Sequence, residues 1–448
     1  MRDILFTILF FGMAVLSLRR AHLGVMLWVW SSLFPLNDFL FGFAQAIPFS
    51  KISVACAVLG LIFDKRRSIT ADKLIITVFI FFASVSISYA MSSSSLVWGD
   101  DLYSRFAKAV MAMLFIQFVA IDRLRLHSIL VAMCLAVGAG AADEGLKFVL
   151  SAGAHHVKGT SSWGDENITA AIILLCLPIL LYLHRYANNK IFKDGIIIVF
   201  VICNIAIVGT YSRGGFLGLL VFYGMAAMTF RSRVSIIVWA VLLGTLALFL
   251  MPDSWMARIG STTNAGADSS FMGRVVQWKI LTLMALDHPF FGSGMLANMD
   301  PAIWKTYAAR LVSELTFIQT PMTTRPYASH SIYFQVLGED GFIGLFLFVV
   351  VFSGALGLVR DVRKRAERTQ SQGWAIDLAT AMRTSLVLFL VTGAALPIPY
   401  LEFPYLLIGC LSALRQIQRR ELKQMLRERN RLSAEVAAKT DLPLPAAS

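Results

Sequence analysis

The chain has 448 residues, 57% of them hydrophobic and only 15% charged, against roughly 25% charged in an ordinary soluble protein. Its formal net charge is +13, but the basic residues are spread over many short segments rather than gathered into one patch. This excludes a soluble enzyme and a nucleic-acid-binding domain, and defines an integral membrane protein with lipids, not nucleic acid, around it.

Apolar runs of about 15 to 22 residues recur along the chain, each near the length a helix needs to cross some 30 Å of hydrocarbon. Alternating strand patterns are absent, so the spans are expected to be helices, which satisfy their own backbone hydrogen bonds. Helices are predicted over 4–18, 21–36, 50–63, 72–91, 102–121, 125–149, 167–184, 194–211, 215–230, 234–251, 331–359, 378–396 and 402–415. The expectation is an all-α polytopic integral membrane protein, one transmembrane domain over 1–448 with about 12 crossings, the first run or the last pair being interfacial or re-entrant. Ile4 to Leu18 has the length of a signal-peptide core, yet Arg19 and Arg20 follow with no small-residue cleavage pattern, so it reads as retained. Cys56, Cys134, Cys176, Cys203 and Cys410 all fall within apolar runs without paired spacing, and read as small core residues.

Basic residues mark alternate loops: Arg19 and Arg20; Lys65 to Arg67; Arg123 and Arg125; Arg185, Lys190 and Lys193; Arg231 and Arg233; Arg360 to Arg368. Placing these loops in the cytoplasm turns 37–49, 92–101, 150–166, 212–214, 252–330 and 397–401 outward. Only 252–330 is long; helical patches near 272–288 and 301–317 make it a partly helical outward-facing loop, periplasmic if the membrane is a bacterial inner membrane, and loops of that length are usually functional. The end of the chain, 416–448, reads as a cytoplasmic basic tail, either solvated or resting on acidic headgroups.

Three groups on the outward side break the charge rule. Arg213 stands at a helix end before Gly214 and Gly215, which permit a tight turn and close approach to a ligand. Its planar fork of donors suits phosphate; the alternative is an arginine anchoring the helix end at the interface. Arg274 sits in the first turn of an amphipathic helix, where the dipole favours anions, so either a bound anion or an ordinary surface position accounts for it. His330 titrates near neutrality, as a general base must, or is a structural hydrogen-bonding group. On a continuous helix Tyr333 and Leu337 share its face and Glu339 lies nearly opposite, unless the helix breaks around Gly338.

Other outward polar groups carry weaker signals. Asp100, Asp101, Arg105 and Lys108 either line the same cavity or form a helix-end ion network, and Lys158, Arg310 and Arg325 are included by location. His155, His156, Asp165 and Glu166 match no metal-site spacing, so no metal and no cofactor are expected. Phosphate-binding loops, paired-cysteine zinc sites and nucleophile elbows are absent from the sequence.

Three stretches are similar to successive signatures of the O-antigen ligase and polymerase superfamily: SRGGFLGLL at 212–220, GRVVQWKILTLMALDHPFFGSG at 273–294 and HSIYFQVLGEDGFIG at 330–344. WGDENITAAIILLCLPILLYL at 163–183 resembles a further family feature, an Asn before a Pro-containing helix. The resemblance implies a Gram-negative inner-membrane glycosyltransferase that moves a glycan from undecaprenyl pyrophosphate onto lipid A-core oligosaccharide at the periplasmic face. It implies that Arg213 and Arg274 hold the donor pyrophosphate and that His330 activates the acceptor hydroxyl, with inversion and without metal. Ser212, Tyr333, Glu339, Lys158, Arg325 and Arg310 are supporting candidates. The N-terminal third also resembles a subgroup of exosortase-associated O-glycosylation ligases, which leaves a protein oligosaccharyltransferase or a polysaccharide polymerase as alternatives. A lipid-linked glycan transporter would explain many helices too, but no internal repeat is evident and the unusual groups lie at one face rather than at the midplane.

Overall fold

The structure, a computed structural model, describes residues 2–229, 269–368 and 373–440, apart from 69, 71, 93, 95, 161–162, 312, 317 and 322–324, together with 241 and 244–245. Most of the helix expected over 234–251, the start of the 252–330 loop up to 268, Arg231, Arg233 and the last residues of the basic tail lie outside the described residues.

In chain order the helices are α1 (Arg2–Ser17), α2 (Ala21–Leu33), α3 (Leu36–Phe39), α4 (Phe49–Phe63), α5 (Lys73–Met91), α6 (Val97–Val119), α7 (Arg123–Leu150), α8 (Glu166–Tyr186), α9 (Lys190–Gly209) and α10 (Arg213–Thr229). They continue with α11 (Ser269–Asp287), α12 (Pro301–Arg310), α13 (Ile332–Arg368), α14 (Gly373–Gly393) and α15 (Glu402–Thr440). Among the described residues, seven helices are long and apolar enough to cross a membrane: α5 to α9, α13 and α14; Ala21–Leu33, Phe49–Phe63 and Arg213–Met228 are shorter apolar helices. Outward rows such as Ile4, Leu5, Ile8 and Leu9 of α1, or Leu217 and Leu220 of α10, leave bulky aliphatic side chains exposed, a surface that suits hydrocarbon and not water.

At the centre stands α8, with 78% of its apolar window buried against α9, α10 and α14. Asp165 starts it, its Oδ1 accepting from Asn167 N at 3.0 Å and Ile168 N at 2.9 Å. Around α8, α2 packs on α4, α7 on α9, α6 on α15 and α5 on α13.

The two ends of the bundle differ in chemistry. At one end the basic loops meet: Arg125 pairs with Asp64 at 3.1 Å, Arg185 with Asp377 at 3.1 Å, and Arg415 with Asp72 at 2.9 Å and Asp361 at 3.0 Å. At the other end the 150–166 segment meets the α9–α10 turn through Val157 N and the Gly209 carbonyl at 2.9 Å. There also Ser88 at the end of α5 bonds the Glu339 carbonyl at 2.5 Å, joining α5 to α13. These contacts join several of the loops that charge counting had placed on a common side.

Helix α13 is bent at Gly341, whose φ of 70° and ψ of −170° interrupt the helical path. The segment after α11 lies along the bend: Phe342 N donates to the Pro289 carbonyl at 2.8 Å, Ser293 N to Gly338 O at 3.0 Å and Gly294 N to Glu339 O at 3.0 Å. The second and third signatures are therefore physically interlocked.

Candidate functional site

Arg213 is the first residue of α10, half-buried, behind a turn in which Tyr211 adopts a φ of 52°. Ser212 caps that helix, its Oγ accepting from Gly215 N at 3.0 Å and donating to Asn167 Oδ1 at 2.7 Å. The start of α10 is thereby tied to the tip of α8. Gly215 serves this packing, because a Cβ there would stand 2.8 Å from Ala170 Cβ; the expected close approach is to a helix. A cation at a helix N-terminus opposes the dipole.

Arg274 is the sixth residue of α11, not in its first turn, because the helix begins at Ser269. The dipole argument attached to Arg274 in the sequence therefore does not apply there, and passes to Arg213. Arg274 is half-buried, and Trp278, one turn further on, stacks on Phe334 with centroids 5.1 Å apart and planes 7° apart.

His330 does not lie on a helix. It precedes α13 in a left-handed conformation with φ 47°, between Ser329 and Ser331, each 2% exposed. A non-glycine residue held in that region stores strain that the surroundings must offset, as functional positions often do. Burial first, and then the charge of Arg274, hold its imidazole below the usual 6.5, while Asp165 opposes them. The sign of those two effects puts Arg274 and Asp165 within electrostatic reach of His330. The imidazole is accordingly neutral, a proton acceptor, at neutral pH.

Asp165 links the groups. It caps α8, its neighbour Asn167 holds Ser212 beside Arg213, and its carboxylate acts on His330. Sequence reasoning weighed Asp165 only as a weak metal ligand; the signal it missed was an N-cap residue in front of the most buried helix. Among the described residues, no three His, Cys, Asp or Glu side chains gather so as to hold a metal ion.

The supporting candidates fall into separate roles. Glu339, 1% exposed, accepts from Leu296 N at 3.0 Å and Gln335 Nε2 at 3.0 Å through Oε1, and contacts the Tyr400 hydroxyl at 2.9 Å through Oε2. Tyr400 also contacts Asp340 Oδ2 at 2.6 Å. One phenol proton can serve only one carboxyl, so a second proton is shared within this trio. Tyr333 donates to the Leu390 carbonyl at 3.0 Å and braces α13 on α14. Arg310 is engaged by Asp287 and by Glu314 at 2.8 Å, which fastens α12 to α11. Arg325 is exposed, its guanidinium 5.5 Å from the Tyr327 ring. Lys158 is exposed and lines a cavity of about 510 Å³ with Asp38, Glu144, His155 and His156, in which His155 pairs with Glu144 at 2.9 Å. Arg105 pairs with Asp101 at 2.9 Å and Asp100 accepts from Tyr89 at 2.5 Å, a helix-end network.

Beyond α11 and α12 opens a cleft of about 940 Å³, bordered by Lys279, Trp304, Lys305, Gln319 and Thr320. Lys279 bonds the Ile318 carbonyl and so fixes one wall; burial lowers the affinity of its amine for a proton.

The described helices define a helical multi-pass membrane protein in which the Trp278–Ser329 hydrogen bond joins the helix of Arg274 to the turn of His330. Residues 197–349, which hold Arg213, Arg274 and His330, match the O-antigen ligase family, and residues 1–188 match a family of unknown function. The first match supports a place in the O-antigen ligase superfamily, and with it a membrane glycosyltransferase of the glycan ligase or polymerase type. No curated protein matches the chain.

Proposed function

We propose that the protein transfers a glycan from undecaprenyl pyrophosphate to the lipid A-core oligosaccharide at the periplasmic face of the inner membrane, completing lipopolysaccharide. His330 removes the proton of an acceptor hydroxyl; the oxygen attacks the anomeric carbon; the carbon–oxygen bond to pyrophosphate breaks with inversion. Undecaprenyl pyrophosphate leaves with the negative charge, which the forks of Arg213 and Arg274 stabilise in place of a divalent cation. The donor is already activated, so no nucleotide is consumed. The cleft beside Trp304 and Lys305 offers room for a saccharide outside the hydrocarbon.

The observation that carries this reading is the hydrogen bond from Trp278 to the Ser329 carbonyl at 3.0 Å, which joins the left-handed His330 turn to the helix of Arg274 inside the segment that matches the O-antigen ligase family. The test is transfer by purified protein in detergent with EDTA, undecaprenyl-pyrophosphate-linked glycan and lipid A-core, with His330→Ala as control. Glycosylated lipid A-core from the wild type alone is the expected result. Longer lipid-linked glycan would instead define a polymerase, product on an added polypeptide a protein oligosaccharyltransferase, and full activity of His330→Ala would remove the base from the mechanism.

A further inference from the structure

A line of buried side chains runs from the Glu339–Asp340–Tyr400 trio to the turn that carries His330. Gln335 Nε2 donates to Glu339 Oε1 at 3.0 Å, and Gln335 Oε1 accepts from the Ser329 hydroxyl at 2.8 Å. The Ser329 carbonyl in turn receives the indole N–H of Trp278 at 3.0 Å. Ser329 and Gln335 are each 2% exposed, so water does not compete for these bonds. The amide of Gln335 has only one orientation that serves both neighbours: its NH2 must face the carboxyl and its oxygen the hydroxyl.

At Ser329 the line reaches the elements of both reacting groups. Ser329 is joined to His330 by a peptide bond, at the point where the backbone turns left-handed. Trp278 stands one turn after Arg274 on the same face of α11, and its ring lies flat on Phe334, the neighbour of Gln335. We propose that Gln335 and Ser329 are positioning residues, which hold His330 in its left-handed turn and lock that turn to the helix bearing Arg274. The base and the pyrophosphate-binding arginine then keep one spacing although they come from elements joined by the long loop. This inference rests on the reading of His330 as base and Arg274 as donor ligand.

The experiment uses the full chain in detergent, with Ser329→Ala, Ser329→Thr and Gln335→Met beside the wild type. Two quantities are followed: carbethoxylation of His330 by diethyl pyrocarbonate across pH, read by peptide mass spectrometry with His288 as internal reference, and kcat and KM in the transfer assay. Arg274 and Asp165, the charges acting on His330, are unchanged in all three variants. Loss of one buried hydrogen bond in the line is expected to speed His330 modification about tenfold and to move its midpoint upward toward 6.5, with His288 unaffected. In the same variants kcat should fall about tenfold while donor KM stays within about twofold, and Ser329→Thr, which keeps the hydroxyl, should behave as wild type. Should Gln335→Met fail to fold, Ser329→Ala, which deletes a single oxygen, decides alone. Unchanged reactivity and pH midpoint of His330 in folded Ser329→Ala would overturn the proposal. Altered reactivity without transfer by any form, wild type included, would uphold the positioning line and sink the proposed reaction.

Discussion

Gly338 lies so close to Leu281 that a Cβ built on it would stand 2.4 Å from Leu281 Cδ2 and 3.0 Å from its Cα. This contact sets the distance between α11, which carries Arg274, and the start of α13, which follows His330. Gly338→Ala is therefore expected to push the two helices apart, at a cost of about 1–3 kcal/mol in stability. Transfer should fall further than the lost stability explains. Thermal unfolding in detergent together with single-turnover transfer checks this; wild-type rates would show that the spacing is slack.

The pH profile should carry the signature of two opposed charges. Burial and Arg274 lower the affinity of His330 for its proton, so the acidic limb of transfer should lie below pH 6.5, with activity rising as pH rises through it. Asp165→Asn removes the charge that favours the imidazolium, and the limb should move to still lower pH. Arg274→Gln removes the opposing charge, and the midpoint of His330 modification should move up. Shifts of the same sign in both variants would contradict the arrangement.

Glu339 offers a sharp isosteric test. In Glu339→Gln the amide oxygen can still accept from Leu296 and Gln335, while its NH2 donates to Tyr400 and frees the phenol proton for Asp340. That variant should fold and retain most activity. Glu339→Leu leaves two buried donors, Leu296 N and Gln335 Nε2, unmatched at about 1–3 kcal/mol each, while Tyr400 keeps Asp340, and should be recovered poorly or unfold early. Equal stability of the two variants, measured by chemical denaturation, would remove the network from the account of this end of the bundle.

Arg310 is expected to be dispensable for donor binding, because Asp287 and Glu314 occupy its guanidinium. Arg310→Met should leave donor KM within about twofold of wild type, and a rise of about tenfold would restore Arg310 to the substrate-binding groups.

Much of the helical layout was legible because the length of an apolar run is fixed by the hydrocarbon it must cross. The runs expected at 72–91 and 167–184 are Lys73–Met91 and Glu166–Tyr186. Where helices outgrow the apolar stretch the pattern stops early: α13 continues to Arg368 and α15 to Thr440, beyond the expected 359 and 415, on polar residues that are good helix formers. Of the candidate site, Arg213, Arg274 and His330 stood out as cationic or titratable groups on the side that charge counting turned outward. The bend at Gly341, the left-handed His330 and the Tyr400 contact with Glu339, 61 positions away in sequence, were not readable, since periodicity reports a face and not its distant partner. Gln335 passed unnoticed as an ordinary amide in a helix.

The central α8 has a consequence for how the enzyme meets its surroundings. It has 78% of its apolar window covered by protein, against 39% for α5, α9 and α13. Asp165 and Asn167 at its tip are thus mounted on the part of the molecule that lipids touch least. Changes of bilayer thickness or acyl composition act first on the peripheral helices, which slide and tilt in the lipid, while the tip keeps its place. A change of membrane, or transfer into detergent, is thus felt least at the Asp165–Asn167 tip and at Ser212 bonded to it, and most at α13, whose start follows His330.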